Sequence, residues 1–359
     1  MLLSFPHMGK LHLALAQTCR RLNIPYLVPS PPGPRALKLG QELAPEGSCF
    51  PFCLVLGNMR EALEAGANTI VMLGGGGPCR FGYFVYLAVR ILSDAGYNFQ
   101  PLIIDKGYHL RNYSLIKKEG RVSWPALVQA VRLGWEVVVC EETIARLERE
   151  YQPRAVDSLC LQAFLNDCRN GLERVYSLQE AIRIKKRVLE YAKTVRLLPE
   201  EEILKVGLVG DIYTLLEPYA NYGIEEFLRE KGVAVYKDMA VSNWIPNTVL
   251  PWRRNRYYGE LLRVAFPYLR FCAGGFSLET VANARKMGNC AVDGIIQLFP
   301  LGCMPEIVAR SALNKISREE EIPVLSITMD RHDSMTGFET RIEAFLDMIG
   351  SLKRKDNTT

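Results

Sequence analysis

Residues 69–73, Thr-Ile-Val-Met-Leu, run straight into residues 74–84, Gly-Gly-Gly-Gly-Pro-Cys-Arg-Phe-Gly-Tyr-Phe. Five β-branched or apolar residues without polar alternation describe a strand buried on both faces, as in a parallel sheet. A glycine-rich turn and a helical pattern over 80–95 follow. This strand–turn–helix unit recurs. Residues 1–5 read as a short strand, 10–22 as a helix with Leu11, Leu15, Cys19 and Leu22 on one face, and 25–29 as a second strand. Helices over 36–43 and 52–65 precede the central strand, and 101–105 is a further strand. Strands separated by helices imply right-handed βαβ units.

Residues 124–203 have almost no strand character and read as long amphipathic helices with solvated basic faces. A second α/β lobe begins at 204. Its strands are 206–210, 233–236, 295–299 and 323–328, and its helices are 217–231, 278–287, 305–316 and 340–349. The expected organisation is an N-terminal α/β lobe over 1–123, a helical segment over 124–203 and a C-terminal α/β lobe over 204–359, with a frayed polar tail.

The chain has 359 residues, 48% hydrophobic and 23% charged, with a net charge of +5 spread along its length. That balance describes an ordinary globular protein and carries no nucleic-acid footprint. Pro6, His7, Gly9 and Lys10 interrupt the N-terminal apolar run, which argues against a signal peptide, and no apolar run reaches membrane-spanning length. The expected setting is cytoplasmic. In a reducing compartment the ten cysteines are buried small residues, metal ligands or redox groups rather than disulfides.

Three of them, Cys49, Cys79 and Cys303, are expected where a strand hands over to a helix, each beside Gly or Pro. Such turns gather at one edge of an α/β sheet. Convergent thiolates of this kind point to an iron–sulfur cluster. Gly74, Gly75, Gly76 and Gly77 would let the backbone approach a bulky inorganic core and point N–H groups at its sulfurs. The rival reading is a phosphate cradle. The run lacks the Gly-Lys-Ser/Thr of a P-loop and has cysteine where a dinucleotide fingerprint wants a small residue. Cys53, four residues after Cys49, is either a further ligand or a core residue, and Cys272 before Gly274-Gly275 is an accessory candidate.

A cysteine nucleophile at 303 would need a base, and His7, His12, His109 and His332 have no evident partner. Zinc fingers and ribbons are excluded by the lack of any C-x-x-C pair. Cys19, Cys160 and Cys168 read as core or surface thiols, Cys140 as a strand-end core residue and Cys290 as a plain core residue. Asp330, Asp333 and Glu339 surround His332 in a polar loop expected after the last strand, which is either a solvated turn or the place of a proton donor near the cluster. Asp211 and Glu217 either bind substrate or cap a helix.

Three segments carry a resemblance: CFPFCLVLGNMREALEAGANTIVMLGGGGPCRFGYF, GDIYTLLEPYANYGIEEFL, and DGIIQLFPLGCMPEIVAR with the closing TRIEAFLDMI. In them the chain resembles the 2-hydroxyacyl-CoA dehydratase component D superfamily, most closely its CoA-enzyme-activase-related and double-cubane-cluster relatives. The resemblance implies two flavodoxin-like (Rossmann-like) parallel-sheet lobes with an intervening helical segment. It implies a [4Fe–4S] or double-cubane cluster on Cys49, Cys79 and Cys303, with Cys53 a possible fourth ligand. It also implies a separate ATP-dependent activase of the actin-like fold that injects a low-potential electron, an acyl-CoA or other small-molecule substrate, and a possible homodimer. A non-enzymatic electron-transfer partner or scaffold of the activase, and a nucleotide- or sugar-phosphate-binding α/β protein, are the alternative readings.

Overall fold

The strand-and-helix alternation holds in a computed structural model of the chain, which describes residues 1–74, 80–104, 114, 116–117, 122–249, 251–289, 292–330 and 335–356. The chain divides into two units, Met1–Thr143 with Asn166–Glu190, and Ile144–Leu165 with Tyr191–Thr359.

The first unit is built from β1 (Leu3–Ser4), α1 (Leu11–Arg21), α2 (Pro34–Gln41), α3 (Phe50–Glu64), β2 (Thr69–Leu73), α4 (Arg80–Asp94) and β3 (Gln100–Ile104). The three strands are parallel in the order β1-β2-β3, and Leu3 makes one further parallel bridge to Tyr26. The strand expected at 25–29 is only this bridge: the Leu3 N–H donates to Pro25 O at 3.0 Å and the Leu27 N–H to Leu3 O at 2.8 Å. Pro25 and Pro29 have no N–H, so the ladder cannot lengthen in either direction. Counting the bridge as the edge, the order is second-first-third-fourth, the flavodoxin-like order.

α2 and α3 pack at backbone contact. A Cβ on Gly40 would lie 1.8 Å from Cys53 O, and one on Gly57 would lie 1.7 Å from Ala36 O. Only glycine permits that approach at either crossing point.

Along the chain, between β3 and β4, come α5 (Trp124–Glu150), α6 (Ser158–Leu172) and α7 (Leu178–Ala192), and the unit boundaries fall inside them. In α5, Ala130, Leu133, Val137, Cys140, Ile144 and Leu147 are all at most 1% exposed, an unbroken stripe at three- and four-residue spacing. Cys140 is therefore a helix-core thiol, not a strand end. The run WEVVVC is β-branched enough to read as a strand, but the period of its burial is helical.

The second unit contains β4 (Lys205–Gly210), α8 (Ile212–Leu216), α9 (Ile224–Glu230), β5 (Ala234–Tyr236), α10 (Val241–Val249), α11 (Pro251–Ala265), α12 (Ser277–Asn289), β6 (Gly294–Pro300), α13 (Met304–Glu319), β7 (Val324–Met329) and α14 (Met335–Asp356). Its parallel sheet runs β5-β4-β6-β7, again second-first-third-fourth. Every residue of β4 and β6 is buried. Against one face lie Leu261 and Ala265, Leu278, Val281 and Ala282, and Ala309, Leu313 and Ile316, from α11, α12 and α13 respectively.

The helix expected over 217–231 is broken. Pro218 opens a short 3-10 turn, and Tyr222 (φ 53°) and Gly223 (φ 66°) are left-handed, so α9 starts afresh. Sequence reading gave no element to α10 and α11; Pro246 inside the first and the RRNRYY run in the second obscure their periodicity. Among the described residues, no helix is long and apolar enough to cross a membrane.

Candidate functional site

In the second unit the neighbouring ends of β4 and β6 are where a sheet of this order changes direction, the place where such folds hold ligands. The backbones meet closely there. Gly210, with φ +139°, would place a Cβ 1.9 Å from Leu298 O. The Asp211 N–H donates to that same oxygen at 3.1 Å.

Asp211 then caps α8: its Oδ2 accepts from the Thr214 N–H and Oγ1, both at 3.0 Å. Burial raises its carboxyl pKa, against the Thr214 bonds. Of the two roles open to Asp211, capping is the one the geometry displays. Asn221 Nδ2 donates to Thr214 O at 2.8 Å, and the Gly223 N–H donates to Asn221 Oδ1 at 3.1 Å, which fixes the following turn.

β6 leads through Leu301 and Gly302 (φ +75°) to Cys303, the N-cap of α13. Cys303 is partly exposed, with extended backbone (φ −71°, ψ 95°). Pro305, in the first turn of α13, lacks the N–H that a helix start leaves without a helical partner. The helix dipole at this position favours a thiolate.

Beneath that turn lies a polar group that sequence reading missed. Glu306 is 1% exposed. Its carboxyl receives Thr280 Oγ1 at 3.0 Å and Gln297 Nε2 at 3.0 Å, while Ser326 Oγ donates to Gln297 Oε1 at 2.8 Å. Burial pushes the Glu306 carboxyl up to about 8, with the negative charge of Asp211 adding to the effect. Burial also pushes Glu279, likewise 1% exposed, up to about 7. The one visible signal in the sequence was C-x-x-E at a helix start, which has the spacing of a capping box. Here the glutamate turns into the core.

In the first unit Cys49 is the partly exposed N-cap of α3, and its carbonyl accepts from the Phe52 and Cys53 N–H groups at 3.0 and 3.3 Å. What precedes it is α2, not a strand as expected, because the segment from Pro34 onward winds into a helix that packs on α3. Cys53 lies one turn into α3 and is 0% exposed. Gly74 closes β2, its N–H donating to Ile104 O at 3.0 Å. Gly75, Gly76, Gly77 and Cys79 lie outside the described residues, as do His109, Cys290, His332 and Asp333.

The histidines after β1 do have partners. His7 Nε2 donates to Pro29 O at 2.8 Å, His12 Nδ1 donates to Gly9 O at 3.0 Å, and the two rings lie 4.5 Å apart. Burial lowers both, His12 to about 4, so both are neutral imidazoles at physiological pH.

The remaining thiols are simpler. Burial pushes Cys19 and Cys140 up to about 12, which makes them inert core groups, and raises Cys168 in the same sense. Cys160 is exposed, with its sulfur 3.4 Å from the Tyr191 hydroxyl, and Cys272 is exposed in the connection between α11 and α12. Among the described residues, no group of three or more His, Cys, Asp or Glu side chains is placed to hold one metal ion.

Residues 220–349 match the family model of the 2-hydroxyglutaryl-CoA dehydratase D-component. The match supports the dehydratase superfamily. It takes in β5 through β7, and with them Cys303, Glu279 and Glu306. No curated protein matches the chain.

Proposed function

We propose that this chain is a cytoplasmic iron–sulfur protein of the 2-hydroxyacyl-CoA dehydratase-like group, allied to its activase-related and double-cubane members. It takes part in ATP-coupled low-potential electron transfer or reductive chemistry. The observation that carries the reading is the family match over a segment that contains Cys303 at the N-cap of α13.

The donor chemistry fits. Cys49 and Cys303 are both partly exposed N-cap thiols at the starts of helices of 15 and 16 residues. Both helices present a positive end that stabilises a thiolate, the form that binds iron. In this reading Cys49, Cys79 and Cys303 hold the cluster, Cys53 is available as a fourth thiolate, and Gly74 to Gly77 line it. A bound cluster of this kind supplies electrons one at a time at low potential. The chain's own part is to hold its thiolates on rigid helix starts. The electron donor is a separate ATP-dependent activase of the actin-like fold, and the acceptor is a small molecule or acyl-CoA.

The test is anaerobic purification followed by iron and sulfide analysis of the wild type, Cys79→Ala and Cys303→Ser. The reading expects iron and sulfide in the wild type and a large loss of both in each variant, with unchanged circular dichroism. A well-folded wild type without iron or sulfide overturns it.

A further inference from the structure

Two buried acids of the second unit stand at equivalent places. Glu279 is the third residue of α12 and Glu306 the third of α13. Glu306 is bonded to Thr280 and Gln297. Glu279 is not: among the described residues no other residue hydrogen-bonds to either of its carboxylate oxygens, and both are sealed from solvent. A buried, ionised carboxylate in that condition is strongly unfavourable, and it is relieved most simply by a proton.

Among the described residues, no basic side chain forms an ion pair with either carboxylate or is among the charges that act on them. From the N-cap of α8 the negative charge of Asp211, itself buried, acts on Glu306. From α11 the Tyr257 phenol neighbours Glu279, and burial and the charge of Glu279 both push it up. β6 and β7 contribute the neutral Gln297 and Ser326. The basic side chains of α12 and α13 with assigned partners engage elsewhere. Arg285 bonds the Val264 and Phe266 carbonyls and lies 3.4 Å from Glu320, Lys286 lies 3.5 Å from Glu260, and Lys315 lies 3.6 Å from Glu319.

We propose that Glu279 and Glu306 form a proton-binding pair that ties the first turns of α12 and α13 together at neutral pH and lets them part when it ionises. With its proton on Oε1, Glu306 donates to Thr280 Oγ1 and still accepts from Gln297 Nε2 at Oε2, so every bond around it is satisfied. Loss of the protons leaves like charges facing each other with Asp211 beside them, and the two helix starts repel. The upward shifts of both carboxyls, to about 7 and about 8, agree with that arrangement. The inference stands apart from the iron reading, since it uses neither a metal nor a thiol.

The test uses the full-length protein. Infrared spectra from pH 6 to pH 9 follow the carbonyl stretch of neutral carboxyl groups in the wild type, Glu279→Gln, Glu306→Gln and the double variant. Amide exchange over residues 277–281 and 304–308, corrected for its intrinsic pH dependence, follows the helix starts. The wild type should show a neutral-carboxyl band at pH 6 that decays by pH 9. Each single variant should lose part of it and the double variant all of it. Protection of the two helix starts should fall about tenfold over the same range in the wild type, the equivalent of one pKa unit of mutual repulsion, and stay level in the double variant. Absence of the band from the wild type at pH 6, its survival in the double variant, or wild-type protection that does not change with pH overturns the proposal. The wild-type arms need no variant to fold.

Discussion

Replacing Gly210 with alanine tests the close approach of β4 and β6 at the candidate site. At φ +139° a side chain is strained, at about 1–3 kcal/mol for such backbone regions. The new Cβ would also stand 1.9 Å from Leu298 O, 2.8 Å from Leu298 C and 3.0 Å from Leu298 N. All three are backbone atoms of a strand paired on both sides, so no rotamer change relieves the clash. Overpacking of that kind costs about 1–3 kcal/mol. The sum, about 4 kcal/mol, corresponds to a fall in Tm of about 8–16 °C for a unit of this size. Gly232 is the control: it is also left-handed, at φ +71°, but a Cβ there meets nothing within 4 Å. Gly232→Ala should cost only the backbone term, about 1–2 kcal/mol. Thermal unfolding of both variants, followed by circular dichroism, decides the matter. Equal losses for the two would refute the close contact, because only the clash distinguishes them.

Glu306→Gln should flatten the pH dependence of stability. The wild-type carboxyl is held neutral up to about pH 8, so the folded state keeps a proton that the unfolded chain releases near pH 4.5. Stability is then greatest on the acid side and falls as pH rises from 4.5 to 8, by about 5 kcal/mol if that one group carries the effect; urea titrations across this range should show a shallower slope in the variant. Lys237→Met should destabilise the second unit by about 3 kcal/mol or more, since Lys237 pairs with Glu225 and bonds Leu215 O at 2.9 Å, and its loss leaves the half-buried carboxylate, among the described residues, with Arg149 alone, 3.5 Å away. Differential scanning calorimetry measures it. Gly57→Ala should force α2 from α3 at a cost of about 3 kcal/mol and, on the iron reading, lower iron content through Cys49 at the start of α3; a stable variant with full iron would contradict both steps.

What was legible in the sequence follows the range over which each signal acts. Buried parallel strands such as 69–73 and 295–299 announce themselves as continuous apolar runs, because both of their faces are covered and no alternation survives. The turn at Gly302 and the cysteine at 303 are equally local, and the N-cap position of Cys303 could be read from Pro300, Gly302 and Pro305. Three readings failed for local reasons too: prolines cut the edge strand at Tyr26 to a bridge, a left-handed Tyr222–Gly223 pair split one helix, and β-branched valines disguised the helix around Cys140.

The acids at 279 and 306 were illegible in a different way. A glutamate at the third position of a helix is ordinarily a solvated partner for the helix dipole, and nothing near Glu279 or Glu306 in the chain distinguishes them from that role. What sets them apart is that α12 and α13 start beside the same strand, so that Thr280 and Gln297, the latter held by Ser326, bond one carboxyl, while among the described residues no other residue bonds the second. That is a property of register: Gln297 meets Ser326 only because β6 and β7 pair Gln297 with Ser326, and it meets Glu306 only because α13 starts four residues beyond the end of that strand at Pro300. A shift of one residue in the strand pairing would aim Gln297 at the other face of the sheet, a shift in the start of α13 would carry Glu306 away from it, and in both cases the proton site would vanish while the apolar pattern that specifies the fold stayed as it is.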